Sequence, residues 1–482
     1  MLPSWETGAT LVGVSDAQDG LNRRALLGAA AATGIAAALP REAQASTRKT
    51  TTKRSRLPRT AEVVVVGGGF SGLVAALRLQ DAGKDVVLLE ASTRTGGRVL
   101  NEDIGDGQVA EAGGTYVGPT QNRILALGEE LGVPTFKAYA KGDNVYIKAD
   151  GSATRYQGTI PPLDGLTLAD AALLQENLNA MAAATPVDAP WEAEKAGEWD
   201  RQTLDSWLRQ NSRDPAALIR VLEAYLHPTF GGNAQDVSLL FVSWYLAGAG
   251  DERNVGTFDR SAGSENAAQD SRFVGGSQLI SDIMEKRLGR RLFLRAPVRR
   301  IRQRGSRVEV VCDKGEIRCR KVIVAVPPTL AAAIDWDPIL PPERAFLLAR
   351  TPMGRLMKCD AIYDTPFWRS DGLSGMGVAE TGAVRTSFDC SPPDGSKGVI
   401  LGFVGGSGWD VASGMPPERR KQLVLENFAR IYGPQALKPA GYFEQDWTRE
   451  RWIGGGPTGV GVPGALTQFG HWIRKPHGRV HW

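Results

Sequence analysis

The chain has 482 residues, 42% hydrophobic and 23% charged, which is enough for two domains with substantial cores and too apolar for a disordered chain. Its formal charge of +4 is local: residues 46–60 hold Arg48, Lys49, Lys53, Arg54, Arg56 and Arg59 with no acid, residues 1–45 sum to −1, and everything beyond comes to about −1. The body of the chain therefore gives no support to nucleic-acid binding, and the four histidines and four cysteines (Cys312, Cys319, Cys359, Cys390) show neither metal-ligand spacing nor a disulfide framework.

Residues 1–45 read as an export signal. Asn22-Arg23-Arg24-Ala25-Leu26-Leu27-Gly28 sets paired arginines before an Ala-rich run to Leu39, and Ala43-Gln44-Ala45 offers a small-x-small cleavage site. The run of about fifteen residues is too short for a stable membrane anchor. The pattern predicts twin-arginine export to the periplasm or beyond, a route that carries folded proteins with their cofactors inserted. A basic linker, 46–60, follows.

The stretch Ala61 to Val99 predicts strand, glycine turn, helix and strand. Val63 to Val66 is β-branched, Gly67, Gly69 and Gly72 fall at GxGxxG spacing, Leu73 to Gly83 is Ala/Leu-rich, and Lys84 to Glu90 forms a second apolar strand ending in an acid. Gly67 permits the tight turn, Gly69 lets the backbone approach a pyrophosphate, and Gly72 lets helix and strand pack. The helix N-terminus turns free N–H groups toward the phosphates. Glu90, 23 residues after Gly67, is placed to accept from a ribose hydroxyl and disfavours a 2′-phosphate, so FAD or NAD is preferred to NADP.

Farther on, Ser92 to Arg98 is a loop with Arg94, Arg98 and the pair Gly96-Gly97, suited to anionic phosphates. Glu111 to Ile124 contains the Gly113-Gly114 turn before a helix running to Gly132. Between Leu166 and Leu246 the spacing is mainly helical, with 200–208 as an amphipathic pair of turns. From Leu292 to Val326 it changes to strands, with a hairpin whose turn spans Asp313 to Glu316. Pairing of Asp313 with Glu316 would set Cys312 opposite Ile317 and Cys319 opposite Val310, so the two sulfurs would lie diagonally.

The segments VVVVGGGFSGL, LLEASTRTGGRV, GGTYVGPTQNRI, DAPW (188–191), EWD (198–200), RFVGGS (272–277), VPPTL (326–330), MGRLMKC (353–359), PFWR (366–369) and PGALTQFG (463–470) make the chain resemble the flavin-containing monoamine oxidase family from Ala61 to Trp482. The resemblance implies an α/β fold, a Rossmann-like FAD-binding domain interleaved with an α+β substrate domain. The FAD domain would take residues 61–136, 271–330 and 451–482, and the substrate domain 137–270 and 331–450. FAD held non-covalently, a small-molecule amine substrate and oxygen are implied, and a homodimer is compatible with the family.

Oxidising an amine at a flavin requires a neutral amine held over the ring in a dry pocket. The resemblance matches Lys358 to a lysine that contacts the flavin through a water, Gln269 to a substrate-orienting glutamine, and Trp447 to an aromatic near the ring. It sets Val298 beside the adenine and Pro327 beside the flavin, and adds Arg94, Gly97, Arg98, Gly113 and Gly114 to the cofactor site of Gly67, Gly69, Gly72 and Glu90.

Two departures stand out. Where relatives carry a flavin-linking cysteine and a cage tyrosine, this chain has Gly456 and Pro457, which excludes covalent attachment there and removes half of the aromatic cage. The sequence also stops at Trp482, where relatives continue into a segment covering the flavin; the expectation is weak FAD binding by the 482-residue chain. An L-amino-acid oxidase remains an alternative if Arg253, Arg260 or Arg355 clamps a substrate carboxylate, as does a non-catalytic remnant.

Overall fold

The structure is a computed structural model and describes residues 56–482; the predicted export signal and residues 46–55 of the linker lie outside them. A five-stranded, all-parallel sheet runs in the order Leu292–Phe293, Val86–Leu89, Val63–Val66, Lys321–Val324, Val480–His481. Its alternating side chains feed two cores. Val63, Val65, Val86 and Leu88 pack against helices Phe70–Asp81 and Gln278–Leu288, while Val64, Val66, Val87 and Leu89 pack against Ile301, Val308, Val310 and Ile317 of an antiparallel sheet behind them. The fold is thus α/β, with a Rossmann-like FAD-binding region beside a second, α+β region.

That second region is built on a seven-stranded sheet, in the order 441–446, 356–363, 398–405, 386–389, 373–379, 143–147, 153–156. Helices Gly165–Ala183, Leu204–Asn211, Pro215–Phe230 and Leu239–Ala247 form their own apolar cluster beside it. Strand Leu356–Tyr363 is buried along its whole length and lies between 398–405 and 441–446. Among the described residues no helix is long and apolar enough to cross a membrane.

The structure corrects several local expectations. Strand Asp335–Asp337 pairs in parallel with Val298–Arg304, adding a fourth strand to that sheet. The hairpin closes on Cys312 opposite Gly315, which puts Cys319 opposite Val308 instead of Val310. Gly315 takes φ +128°, a conformation glycine tolerates, and Arg299 grips Asp313 through two hydrogen bonds of 2.8 and 2.9 Å, so the turn centres one residue earlier. All four cysteines are free and buried. The helix expected from residue 200 begins at Leu204, where Thr203 and Ser206 form a reciprocal cap.

Candidate active site

A cavity of about 1220 Å³ opens at the C-terminal ends of the parallel strands, where Val66, Leu89 and Val324 give way to loops. Gly67 turns the chain at φ +104°, and a Cβ there would stand 2.5 Å from the Ala325 carbonyl oxygen. A Cβ on Gly72 would fall 1.9 Å from the Gly67 carbonyl oxygen, whereas one on Gly69 would meet nothing within 4 Å. Gly67 and Gly72 are therefore required by the protein's own packing, while Gly69 fronts open cavity. Helix Phe70–Asp81 starts there with no side-chain cap and no acid in its first turn.

Glu90 is buried at the cavity wall and accepts from the Gly68 and Ser92 amides at 2.5 and 2.6 Å. Burial raises its pKa, against the pull of those two amides. Gly97, Arg98, Gly113, Gly114, Val298 and Pro327 line the same space. Arg94 also lines it, but its guanidinium donates to the carbonyls of Thr95, Val99 and Gly97 at 2.8–2.9 Å. It braces its own loop with three of its five N–H groups while lining the cavity. Arg98 reaches across to the Pro457 carbonyl.

Lys358 and Trp447 form the far wall. Lys358 is 1% exposed, and its ammonium donates to the carbonyls of Glu111 and Gly113 and to the Thr115 hydroxyl. Trp447 is buried, donates from Nε1 to the Ala112 carbonyl at 2.9 Å, and lies under the Arg94 guanidinium at 5.9 Å from the ring centroid.

A second cavity of about 230 Å³ adjoins the first, the two sharing Tyr116, Pro228, Thr229, Tyr245 and Phe403. Gln269 belongs to this smaller space; with its carboxamide turned so that Nε2 faces acceptors, it donates to the carbonyls of Ala262 and Gly263 at 3.2 and 2.6 Å. The remaining walls include Leu163, Leu174, Val221, Leu222, Tyr225, Phe258, Met376, Val378 and Phe388, and no lining residue is charged. Burial raises the pKa of Tyr116 and Tyr245, which keeps both phenols neutral. Sequence reasoning missed Tyr116, Tyr245 and Phe403. Tyr245 stands on the uniformly apolar helix Leu239–Ala247, where no periodicity singles it out.

The site takes a flavin dinucleotide well. The volume, the open face of Gly69, the uncapped helix start and the buried acid at Glu90 suit an adenosine diphosphate half, and the wall of Lys358 and Trp447 closes the other end. No cysteine lines either cavity, so no thiol is at hand to bond the ring.

The model of the flavin containing amine oxidoreductases matches residues 70–482. The chain belongs to that family. A second family model, that of the pyridine nucleotide-disulphide oxidoreductases, matches residues 27–112. A Mycobacterium tuberculosis protein named as flavin-containing monoamine oxidase AofH is 40% identical, over 88% of this chain and 91% of that one. The flavin-containing amine oxidase of Oncorhynchus mykiss is 36% identical, over 88% and 80%. Among solved structures, wild-type putrescine oxidase bound to putrescine superposes with a TM-score of 0.82 at 33% identity, and cyclohexylamine oxidase from Brevibacterium oxydans with 0.82 at 30%; each match covers 88% of this chain and 92% of the other.

As a family member, this flavin amine oxidoreductase uses FAD to oxidise an amine to an imine, which hydrolyses to aldehyde and ammonia, and reduces oxygen to hydrogen peroxide. FAD supplies the two-electron chemistry when bound. The chain's own residues supply a dry enclosure, since the apolar walls of the smaller cavity favour the neutral amine over its ammonium form. They also supply a fixed positive charge at the cavity wall on Lys358, anchored by three acceptors.

Proposed function

We propose that the substrate is a monoamine with a bulky apolar body. The observation that carries this reading is the smaller cavity, lined mostly by aliphatic and aromatic side chains, with a few Thr, Ser and Gln and, among the described residues, no charged group. A diamine would place a second ammonium there with no carboxylate to meet it, at a cost of about 3 kcal/mol or more. An amino acid would need an arginine clamp, and none of Arg253, Arg260 and Arg355 lines the cavity. Arg355 is already engaged by Asp410 and Asp236. The likeness to a relative named as a monoamine oxidase and to a cyclohexylamine oxidase supports the same direction, while the equal structural likeness to a putrescine oxidase makes the diamine the competing reading that the test must exclude.

In this reading Lys358 holds its charge against the cofactor ring, Gln269 orients the amine, and Trp447, Tyr245 and Phe403 wall the reacting centre. Gly67, Gly69, Gly97, Arg98, Gly113, Gly114, Val298 and Pro327 hold the cofactor, with Glu90 at its ribose. The paired Arg23-Arg24 before an Ala-rich run supports twin-arginine export of the loaded enzyme. The test compares kcat/KM for cyclohexylamine, putrescine and L-phenylalanine. Cyclohexylamine should lead by about 100-fold or more, equivalent to roughly 2.8 kcal/mol. Equal or better use of putrescine would refute the assignment.

A further inference from the structure

Asp360 lies two residues from Lys358 on the buried strand Leu356–Tyr363, so both side chains stand on one face. It is 1% exposed, and neither carboxylate oxygen has a hydrogen-bond partner among the described residues. Across the neighbouring strands it is flanked by Leu401 and Phe443, which offer nothing polar. The titratable groups coupled to it are Lys358 and Cys359 on its own strand, Glu111 and Glu102 from the hairpin 101–111, Arg272 from strand Ser271–Phe273, and Cys390.

Every other charge in that cluster is accounted for. The Glu111 carboxylate accepts from Arg272 Nε at 3.0 Å and from the Ser277 amide and hydroxyl at 2.9 Å. Arg272 also donates to the Ser391 carbonyl, and the Lys358 ammonium is spent on loop 111–115. Glu102 is exposed and screened by water. Native proteins seldom bury a carboxylate with both oxygens unpartnered, so this one is either neutral or held by the charges around it.

We propose that Asp360 is a positioning residue for the reaction, setting through Lys358 the net charge of the buried cluster at the cavity wall. Lys358 and Arg272 are positive and Glu111 negative, so the cluster is neutral when Asp360 is ionised and carries one positive charge when Asp360 holds a proton. Burial raises the Asp360 pKa to about 7, with Lys358 and Arg272 lowering it and Glu111 and Glu102 raising it. The exchange therefore falls near neutrality. Electrons passing from the amine bring negative charge into the cavity, and the positive form of the cluster stabilises it more than the neutral form. The amine half of the reaction should gain as Asp360 is protonated.

The test uses the holoenzyme and Asp360→Asn, which keeps the shape and leaves the cluster permanently positive. The rate of the amine half-reaction is followed from about pH 5.5 to about pH 8.5, with the ionisation of the substrate common to both proteins. The ratio of variant to wild type should rise from near one to roughly tenfold, about one pKa unit of differential interaction. In parallel, thermal unfolding is followed over the same range. A carboxyl whose folded pKa is raised costs stability as pH climbs from its unfolded value toward its folded one, so the variant's advantage should grow up to about pH 7 and then level. Asp360→Val, with no polar atom, should reproduce both pH profiles if Asn perturbs the fold. Parallel unfolding profiles, or a rate ratio independent of pH, would overturn the proposal. It rests on Lys358 facing the cofactor: a Lys358→Met enzyme with an unchanged amine step removes that footing, whereas a slowed Lys358→Met beside a wild-type profile for Asp360→Asn rejects Asp360 alone.

Discussion

Lys358 donates to the carbonyl of Gly113 at 2.9 Å, a bond between residues 245 apart in sequence. It ties the buried strand of the seven-stranded sheet to the glycine turn of the dinucleotide site, so the lysine is at once a wall of the cavity and a strut between two sheets.

Lys358→Met should therefore do two things. It should slow amine oxidation by at least about tenfold, and it should lower stability by about 2 kcal/mol, because carbonyls 111 and 113 and the Thr115 hydroxyl lose their donor. Stopped-flow reduction and urea unfolding measure the two separately. Unchanged stability would mean that water replaces the ammonium.

Two glycines of one motif should behave oppositely. Gly72→Ala puts a methyl 1.9 Å from a main-chain oxygen and should destabilise the fold by about 3 kcal/mol or prevent it forming. Gly69→Ala meets open space at φ −71° and should fold with wild-type stability while weakening FAD binding by about tenfold or more. Titration of flavin-free protein with FAD, beside a melting curve, reads both effects. Normal FAD affinity in Gly69→Ala would show that the diphosphate passes elsewhere.

His227 is fully buried, with Nε2 against Asn233 Oδ1 at 3.1 Å and Nδ1 without a partner. Burial first, then Arg385, lowers its pKa to about 4. Between about pH 6.5 and pH 4 the unfolded chain takes up a proton that the folded one refuses, so stability falls as pH drops through that window. The loss is about 3 kcal/mol at most. His227→Gln should flatten that part of the acid limb, as followed by unfolding midpoints. An unaltered limb would assign the acid sensitivity to other groups.

Heat or acid should release the flavin intact. Gly456 offers no nucleophile, and Cys312, Cys319, Cys359 and Cys390 are buried away from both cavities. Mass spectrometry of the precipitated protein should find no flavin-bearing peptide; one such peptide contradicts the geometry.

What could be read from the sequence was what is contiguous. The glycine turn, its flanking strands and the acid at 90 occupy thirty residues whose spacing alone dictates their geometry. The register of the 307–319 hairpin was not legible, because a turn one residue earlier keeps the same alternation; the positive φ of Gly315 and the Arg299–Asp313 pair accompany the register adopted. Arg94, chemically suited to phosphate, also gives three of its N–H groups to local carbonyls, an arrangement set by loop conformation. Tyr116, Tyr245 and Phe403 come from three distant segments and meet only because the sheets fold together. Asp360 carries no signal in the sequence; only its burial without a partner among the described residues gives it interest.

The order of the parallel sheet also governs how the chain can be made. Val63 finds Lys321 beside it, and Val322 in turn finds Val480. A ribosome delivering the chain from its N-terminus must release the dinucleotide turn long before its neighbouring strand exists. During that interval the turn has one wall and no cavity. The nucleotide pocket is thus a late product of synthesis, and until residues 321–324 emerge the Val63–Val66 strand keeps one edge open beside Val86–Leu89.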